Sequence, residues 1–180
     1  MVIYTIGHST RTLEELIGLL KENGIEVLAD VRSYPASARH PQFNRENLTL
    51  RLPDLGIEYR WFGKELGGFR DKRDPNSPHT ALRSSRFRNY ADHMTSDEFA
   101  QGIEALTELA RTKRVALMCA EVLWWRCHRS LLSDYLTACR GIEIVHILGK
   151  KKREPHRLHR AARLVDGKLV YDVEEQPRLV

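Results

Sequence analysis

The sequence places two thiols, a carboxylate, an imidazole and two guanidinium groups in one short segment. Their residues are Cys119, Glu121, Arg126, Cys127, His128 and Arg129. A thiolate can attack an electrophilic atom, and a carboxylate or an imidazole can transfer protons. The segment follows an apolar run at residues 114–119, which predicts a buried strand, and it precedes leucines at helical spacing. Backbone N–H groups and the helix dipole at such a junction favour anions and thiolates, so this is the first candidate for a reactive site.

Two residues of this segment are the leading catalytic candidates. Glu121 is favoured as a general acid or base, because apolar surroundings or an arginine partner would shift its pKa. Its alternative role is a salt bridge to Arg32 or Arg129 that fixes the loop. Cys119 is a candidate nucleophile or redox thiol, because nearby His128 or arginine would lower its pKa. Its alternative role is that of a small buried apolar residue.

Cys127, His128 and Arg129 are predicted to begin the following helix. Successive helical residues point about 100° apart, so the three side chains are not expected to share one pocket. Arg129 is the candidate for holding an anion through its planar fork. His128 is either an acid or base in catalysis or a hydrogen-bonding group near the helix start. Cys127 is predicted to pack in the core.

Polar residues also follow the other predicted strands. His8 and Ser9 follow the first strand, Asp30 and Arg32 lie at the end of the second, and His146 lies near the end of the fifth. In open α/β sheets ligands bind at the carboxyl ends of the strands. We therefore predict a catalytic role for Asp30 and substrate contacts for the other four residues.

Three sharper mechanisms fit the sequence poorly. A phosphatase loop would need glycines where Trp124 and Trp125 stand, and an arginine closer to Cys119. A dinucleotide site lacks its glycine fingerprint after the first strand. A metal site is not predicted, because the chain has no Cys-x-x-Cys or His-x-x-x-His pair, although the needed atoms are present in Cys119, Cys127, His128 and His146. No cofactor is predicted.

The elements that position these residues alternate along the chain. Strand-like runs occupy residues 2–6, 26–31, 57–62, 114–119 and 142–148, and helical patterns lie between them. Capping-box patterns begin at Thr12 and Thr95, and an Asp-Gly pair at residues 166–167 predicts a hairpin. The expected fold is α/β, with a mostly parallel central sheet flanked by helices and a C-terminal β-hairpin. The first two strands should be parallel and joined by a right-handed crossover.

Length and composition predict one globular domain over residues 1–180. The chain has 180 residues, of which 42% are hydrophobic and 29% charged. It contains no apolar run long enough for a membrane span, and it starts with strand-like residues instead of a leader peptide. Three cysteines, an odd number, argue against a secreted disulfide framework. We expect a cytoplasmic protein with reduced thiols and no membrane partner, and the sequence leaves the oligomeric state open.

The net charge of +5 is concentrated in two places. A long basic excursion covers about residues 63–95, and a denser basic segment covers residues 150–163. The second contains Lys150, Lys151, Lys152 and Arg153, which are candidates for binding nucleic acid. The alternative is a solvated surface loop.

Several short motifs in the same order resemble the domain-of-unknown-function family 488. They are TIGHS at residues 5–9, DVR at 30–32, LGG at 66–68, CAE at 119–121, CHR at 127–129 and HI at 146–147, together with Pro35, Ser37 and His156. The resemblance covers nearly the whole chain. It implies an α/β fold and a shared site, and it names no substrate.

Two functions of different class follow. The first is an enzyme, a hydrolase or transferase, that acts on a nucleotide, nucleobase or nucleic acid, with Trp124 stacking on a base and Glu121 or Cys119 doing the chemistry. Its partner would be a phosphate-bearing small molecule or a nucleic acid. The second is a non-catalytic nucleic-acid-binding or regulatory module that uses the basic segment at residues 150–163.

Overall fold

The computed structural model describes residues 1–71 and 74–172. Its strands are β1 (Val2–Gly7), β2 (Val27–Asp30), β3 (Glu58–Trp61), β4 (Val115–Cys119), β5 (Glu143–Gly149), β6 (Lys152–Pro155), β7 (Ala162–Val165) and β8 (Lys168–Tyr171). Its α-helices are α1 (Leu13–Glu22), α2 (Arg45–Arg51), α3 (Gly63–Leu66), α4 (Ser85–His93), α5 (Asp97–Thr112) and α6 (Arg129–Arg140). Short 3-10 helices occupy Pro41–Phe43, Pro53–Leu55 and Trp124–Arg126.

The central sheet has the strand order β3-β2-β4-β1-β5-β6. Strands β1 to β5 are parallel, and β6 pairs with β5 in the antiparallel sense. The predicted α/β fold is therefore confirmed. The first two strands are parallel as expected, but they are not neighbours, because β4 pairs with both of them. This insertion brings the end of β4, with its cysteine, between the ends of β1 and β2.

Apolar side chains pack on both faces of the sheet. One cluster joins α1 and α2 to the sheet through residues such as Leu16, Leu20 and Leu48. The other joins α5 and α6 through residues such as Ile103 and Leu132. Burying each such side chain contributes about 1.5–3 kcal/mol, so the two clusters hold the helices against the sheet. Among the helices that the structure describes, none is both long and apolar enough to cross a membrane.

One of the two predicted capping boxes forms. The Thr12 hydroxyl accepts a hydrogen bond from Glu15 N, and the Glu15 carboxylate accepts one from Thr12 N. The second box was placed one residue too early, because Ser96 is the N-cap of α5. The Thr95 hydroxyl instead donates to Asp92 O at 2.9 Å and so belongs to the turn that follows α4.

The C-terminal hairpin, β7 with β8, is confirmed. Its turn residues Asp166 and Gly167 both have positive φ, 50° and 74°, as a two-residue hairpin turn requires. Strand β6 was not predicted, and it lies inside the basic segment of residues 150–163. Its lysine and arginine side chains mark it as an edge strand, because charge along an open edge prevents pairing with other chains.

Candidate functional site

The carboxyl ends of β1, β2 and β4 meet at one edge of the sheet. His8 N donates to Cys119 O at 3.0 Å, and Val31 N donates to Met118 O at 3.0 Å. The loop that follows β4 then crosses over β1 at Gly7, where an added Cβ would lie 2.0 Å from Glu121 O. Only a residue without a side chain allows this close approach. The topology thus brings the TIGHS, DVR and CAE motifs together.

At this edge lies a group that we call the thiol cluster, formed by Cys119, Cys127, His128 and Arg129. His128 Nδ1 lies 3.4 Å from Cys127 Sγ, and Arg129 Nε donates to the same sulfur at 3.5 Å. The side-chain donor atoms of Cys119, Cys127 and His128 all lie within 4.8 Å of one another. Cys127 is buried, whereas Cys119 is partly exposed.

The expectation that Cys127, His128 and Arg129 diverge is wrong. Helix α6 begins at Arg129, His128 is its N-cap, and Cys127 has extended backbone with φ of −123°. The 100° spacing of helical residues therefore does not apply to the first two. The side chains of His128 and Arg129 both reach the sulfur atom of Cys127.

The pKa values of the two thiols in the cluster are shifted in opposite directions. Burial by itself would raise the pKa of Cys127, but the hydrogen bond from Cys119 and the nearby His128 and Arg129 outweigh it and hold this pKa well below its usual value. The pKa of Cys119 is raised well above its usual value by its hydrogen bond to Cys127 and then by burial. Of the two thiols, Cys127 is therefore the one that loses its proton more readily.

The orientation of His128 is fixed by the backbone. Its Nε2 lies 3.1 Å from Val31 O, and because a carbonyl only accepts, Nε2 carries a hydrogen. The other ring nitrogen, Nδ1, faces the sulfur of Cys127. Gly68 lies directly over this ring, since an added Cβ would come within 2.4 Å of Nδ1. The LGG motif thus forms part of the cover of the thiol cluster.

A second polar group, formed by His8, Asp30, Arg32 and Tyr59, adjoins the cluster. Arg32 donates to Asp30 through Nε and Nη2 at 2.9 and 2.6 Å, and through Nη1 to His8 Nε2 at 3.2 Å. Tyr59 donates to the same carboxylate at 2.7 Å. Asp30 is fully buried and neutralises Arg32, so its observed contacts are those of a residue that positions the guanidinium.

His8 is neutral in this arrangement. Its Nδ1 donates to Ser9 O at 3.0 Å, which leaves Nε2 as the acceptor for Arg32. Burial and then the charge of Arg32 lower the pKa of His8 to about 4. Ser9 has a φ of 47°, an uncommon value outside glycine, and its amide donates to Ala120 O.

Glu121 is exposed. Its carboxylate accepts a hydrogen bond from Leu123 N at 3.1 Å. Arg129 Nη2 donates to the backbone carbonyl of Glu121 instead of its carboxylate. The residue therefore contributes a carbonyl to the thiol cluster, while its side chain caps the loop.

His146 is placed apart from the cysteines, in a buried row that we call the histidine chain. The row runs through Thr5, His146, His156, Asp134 and Tyr171 at spacings of 2.7, 3.0, 2.8 and 2.9 Å. Because the Asp134 carboxylate only accepts, His156 Nε2 carries a hydrogen and donates to it. Burial, followed by His156 and Arg129, lowers the pKa of His146 to about 3.

Trp124 covers the histidine chain. Its ring stacks on His146 with centroids 4.1 Å apart and an interplanar angle of 6°, and its Nε1 donates to the Glu154 carboxylate. One face of the indole is thus already occupied. The neighbouring Trp125 contacts it edge-on and is 49% exposed.

Lys150, Lys151 and Lys152 form an exposed group that we call the basic turn; the first two lie between β5 and β6, and Lys152 begins β6. Arg153 follows within β6 and is also exposed. Because β5 is parallel to β1, the basic turn lies at the same edge of the sheet as the thiol cluster. A groove of about 720 Å³ lies between it and α1, and Lys151 N donates to the Glu22 carboxylate of α1 at 2.7 Å.

Sequence reasoning missed an exposed aromatic pair, Tyr34 and Phe69. The rings are 74% and 50% exposed, and their centroids lie 5.9 Å apart. Phe69 N donates to Ser33 Oγ, which ties the segment after Gly68 to the segment after β2, and the Arg86 guanidinium lies over the Phe69 ring. The sequence signal was weak, because single aromatic residues in polar loops are common.

The thiol cluster includes three of the four residues considered for a metal. Two sulfurs and an imidazole nitrogen suit zinc, and a backbone carbonyl that fixes the ring is typical of zinc-bound histidine. The Arg129 guanidinium, however, donates to one of these sulfurs. A cation at that position neutralises the thiolate in place of a metal and favours a free, charged sulfur.

A family model described as "Domain of unknown function DUF488" matches residues 12–136. That range includes the thiol cluster and the DVR and LGG motifs, whereas TIGHS and His146 lie outside it. No curated protein and no solved structure matches the chain.

Proposed function

This chain belongs to the DUF488 family, and we propose that it is an enzyme that uses the Cys127 thiolate as nucleophile on a nucleotide, nucleobase or nucleic-acid substrate. The family description gives no reaction. The observation that carries it is the surrounding of one buried sulfur by a thiol, an imidazole and a guanidinium, those of Cys119, His128 and Arg129. Thiolate, not thiol, is the nucleophilic form.

A cysteine that only packs in a core has a different environment. Cys139, on α6, is such a case, because burial raises the pKa of its thiol. Cys127 is more deeply buried, and yet its pKa is lowered. The three groups around the Cys127 sulfur stabilise a negative charge on it, and a cysteine that only packs in a core does not need such groups. Cys139 is therefore a matched control within the same chain.

The site supplies the parts of a covalent mechanism. Cys127 Sγ forms a bond to an electrophilic carbon or phosphorus of the substrate, while the bond to the leaving group breaks. In this step His128 acts as an imidazolium: Nδ1, the ring nitrogen nearest Cys127 Sγ, gives its proton to the leaving group, and Nε2 keeps its hydrogen bond to Val31 O. Water or a second substrate then attacks the covalent intermediate and releases the thiolate, which makes the enzyme a hydrolase or a transferase.

The substrate class is proposed from the surroundings of the cluster. The basic turn at the same edge attracts phosphate groups, and the exposed aromatic pair, Tyr34 and Phe69, offers rings on which a base can stack. Both features lie outside the thiol cluster, on opposite sides along the sheet edge. A substrate that carries a base and phosphates would contact both.

The test is turnover of nucleotides and short single-stranded oligonucleotides by three proteins: wild type, Cys127→Ser and Cys139→Ser. We expect Cys127→Ser to lose turnover by a factor of about 10³ or more, and Cys139→Ser to retain it. Mass spectrometry of rapidly quenched samples should show the covalent adduct on the peptide that contains Cys127. Turnover by Cys127→Ser at the wild-type rate would overturn the proposal.

The second candidate function is a non-catalytic nucleic-acid-binding module. It is favoured by the exposure of all three lysines of the basic turn. In that case no substrate is turned over, and exchange of Lys150, Lys151 and Lys152 for glutamate abolishes oligonucleotide binding. If the protein is an enzyme, the same exchange raises KM and leaves kcat near its wild-type value.

A further inference from the structure

We infer that Cys127 and Cys119 form a peroxide-sensitive redox pair, in which oxidation of Cys127 is resolved by Cys119 to a disulfide. This inference rests on the proposed function, because it uses the same thiolate. It adds a reversible regulation of the site.

The geometry of the pair suits this reaction. The two Sγ atoms lie within 4.8 Å of each other, and His128 Nδ1 and Arg129 Nε lie 3.4 and 3.5 Å from Cys127 Sγ. A disulfide needs these sulfurs at about 2.05 Å. The two cysteines flank a loop of residues 120–126, which contains only a short 3-10 helix, so the approach does not require a rigid element to break.

The first chemical step takes place at Cys127. Its thiolate attacks one oxygen of hydrogen peroxide, an S–O bond forms, the O–O bond breaks, and hydroxide leaves and takes a proton from solvent. The sulfur is oxidised by two electrons to a sulfenic acid, and the peroxide is reduced to water. Arg129 Nε donates to this sulfur, so its positive charge is near the bond that breaks and stabilises the leaving hydroxide.

The second step takes place at Cys119. Its sulfur attacks Cys127 Sγ, an S–S bond forms, and the S–O bond breaks. The oxygen leaves as water with the proton that Cys119 gives up. In sum, two thiols and one peroxide give one disulfide and two waters.

The pair differs in exposure. Cys127 is 5% exposed, and Cys119 is the partly exposed member of the pair. Hydrogen peroxide is small enough to reach a sulfur with so little exposure. Cys139 takes no part, because its pKa is raised and it lies near the C-terminal end of α6, whereas Cys127 precedes the N-terminal end of that helix.

The consequence is a switch of the proposed nucleophile. The disulfide removes the thiolate at Cys127 and the proton donor at Cys119 in a single event. A dithiol reductant restores both. The site is thus active only while the pair is reduced.

The experiment exposes the reduced full chain to increasing hydrogen peroxide and maps the cysteines by peptide mass spectrometry. Wild type and Cys139→Ser should both form the disulfide between Cys119 and Cys127. Cys119→Ser should instead accumulate sulfenic acid at Cys127, which a dimedone probe traps, and should be oxidised further. Equal oxidation of Cys139 and Cys127, or oxidation of Cys127 in wild type without the disulfide, would overturn the redox pair.

The two proposals fail in different ways. A wild-type protein that shows thiolate absorbance and loses turnover on Cys127→Ser, but forms no disulfide, contradicts the redox pair alone. If the wild-type protein has no thiolate at neutral pH, the proposed function is contradicted, whether or not a disulfide forms.

Discussion

His128 controls the charge of the sulfur beside it, because its Nδ1 is the ring nitrogen nearest Cys127 Sγ. We predict that His128→Asn raises the pKa of Cys127 by about one unit or more, since the favourable charge is lost. The measurement is a pH titration of the ultraviolet thiolate absorbance. His93→Asn is the matched control, because His93 also contacts a backbone carbonyl but touches neither thiol. Superimposable titrations of His128→Asn and wild type would contradict this role.

His146 makes stability depend on pH. Its pKa in the folded state is about 3, against 6.5 as its ordinary value, so folding favours the neutral ring. This contribution is complete above pH 6.5 and is lost as the pH falls towards 3, at up to about 1.4 kcal/mol per pH unit.

We predict that His146→Asn flattens the fall of the unfolding free energy between pH 6.5 and 4. At pH 7 the same variant should be less stable by about 1–3 kcal/mol, because Thr5 and His156 lose a buried partner. Urea unfolding at several pH values measures both effects. If the slope of the unfolding free energy against pH is the same in His146→Asn and wild type, His146 does not take up the proton on unfolding.

At the residue scale, sequence reasoning found the right segment but weighted its members differently. Cys127 was assigned to packing because a helical pattern separates neighbouring side chains, and the pattern does not reveal that the helix starts only at Arg129. Glu121 is favoured by the sequence because the neighbouring tryptophans or an arginine partner would shift the pKa of its carboxylate. The sequence cannot show that its backbone carbonyl, and not its carboxylate, receives Arg129.

At the scale of elements, the segment with the LGG motif covers the thiol cluster. We predict that Gly68→Ala displaces the His128 ring, because the new Cβ would lie 2.4 Å from Nδ1. The expected cost is about 1–3 kcal/mol of stability, together with a rise in the pKa of Cys127. Gly18→Ala in α1 is the control, because nothing lies within 4 Å of its added Cβ, and it should stabilise by up to about 1 kcal/mol. If Gly68→Ala and Gly18→Ala change the free energy of unfolding equally, the segment with the LGG motif does not pack over the His128 ring.

The order of elements was predictable in part. Alternating strands and helices fix an α/β sheet, and the capping pattern at Thr12 and the Asp-Gly hairpin formed as predicted. The insertion of β4 between β1 and β2 was not predictable, because periodicity shows where strands are and not which strands pair. That insertion is what brings Cys119 between His8 and Asp30.

At the scale of the whole molecule, the charge of +5 bears on binding partners more than on the fold. We predict that replacing Lys150, Lys151 and Lys152 by glutamine weakens binding to single-stranded oligonucleotides. The slope of the logarithm of the binding constant against the logarithm of the salt concentration should fall in magnitude by about 2. Each of the three lost phosphate contacts accounts for about 0.7 of this change.

Fluorescence anisotropy over a range of salt concentrations measures this slope. The control replaces Arg111 and Lys113, which lie beside the amino end of β4, at the opposite edge of the sheet. If the control lowers the affinity as much as the change at the basic turn does, oligonucleotide binding depends on the total positive charge and not on its position. The basic turn is then not the binding surface.

The charge state of Cys127 is the claim on which the proposed enzyme and its redox regulation both depend. Ultraviolet absorbance of the reduced, folded protein at neutral pH measures it directly, with a chelator present so that no metal-bound thiolate contributes. We predict a thiolate band in wild type and in Cys139→Ser that is absent from Cys127→Ser. The same absorbance in wild type and Cys127→Ser would contradict the account, because the sulfur beside Cys119, His128 and Arg129 would then carry no charge.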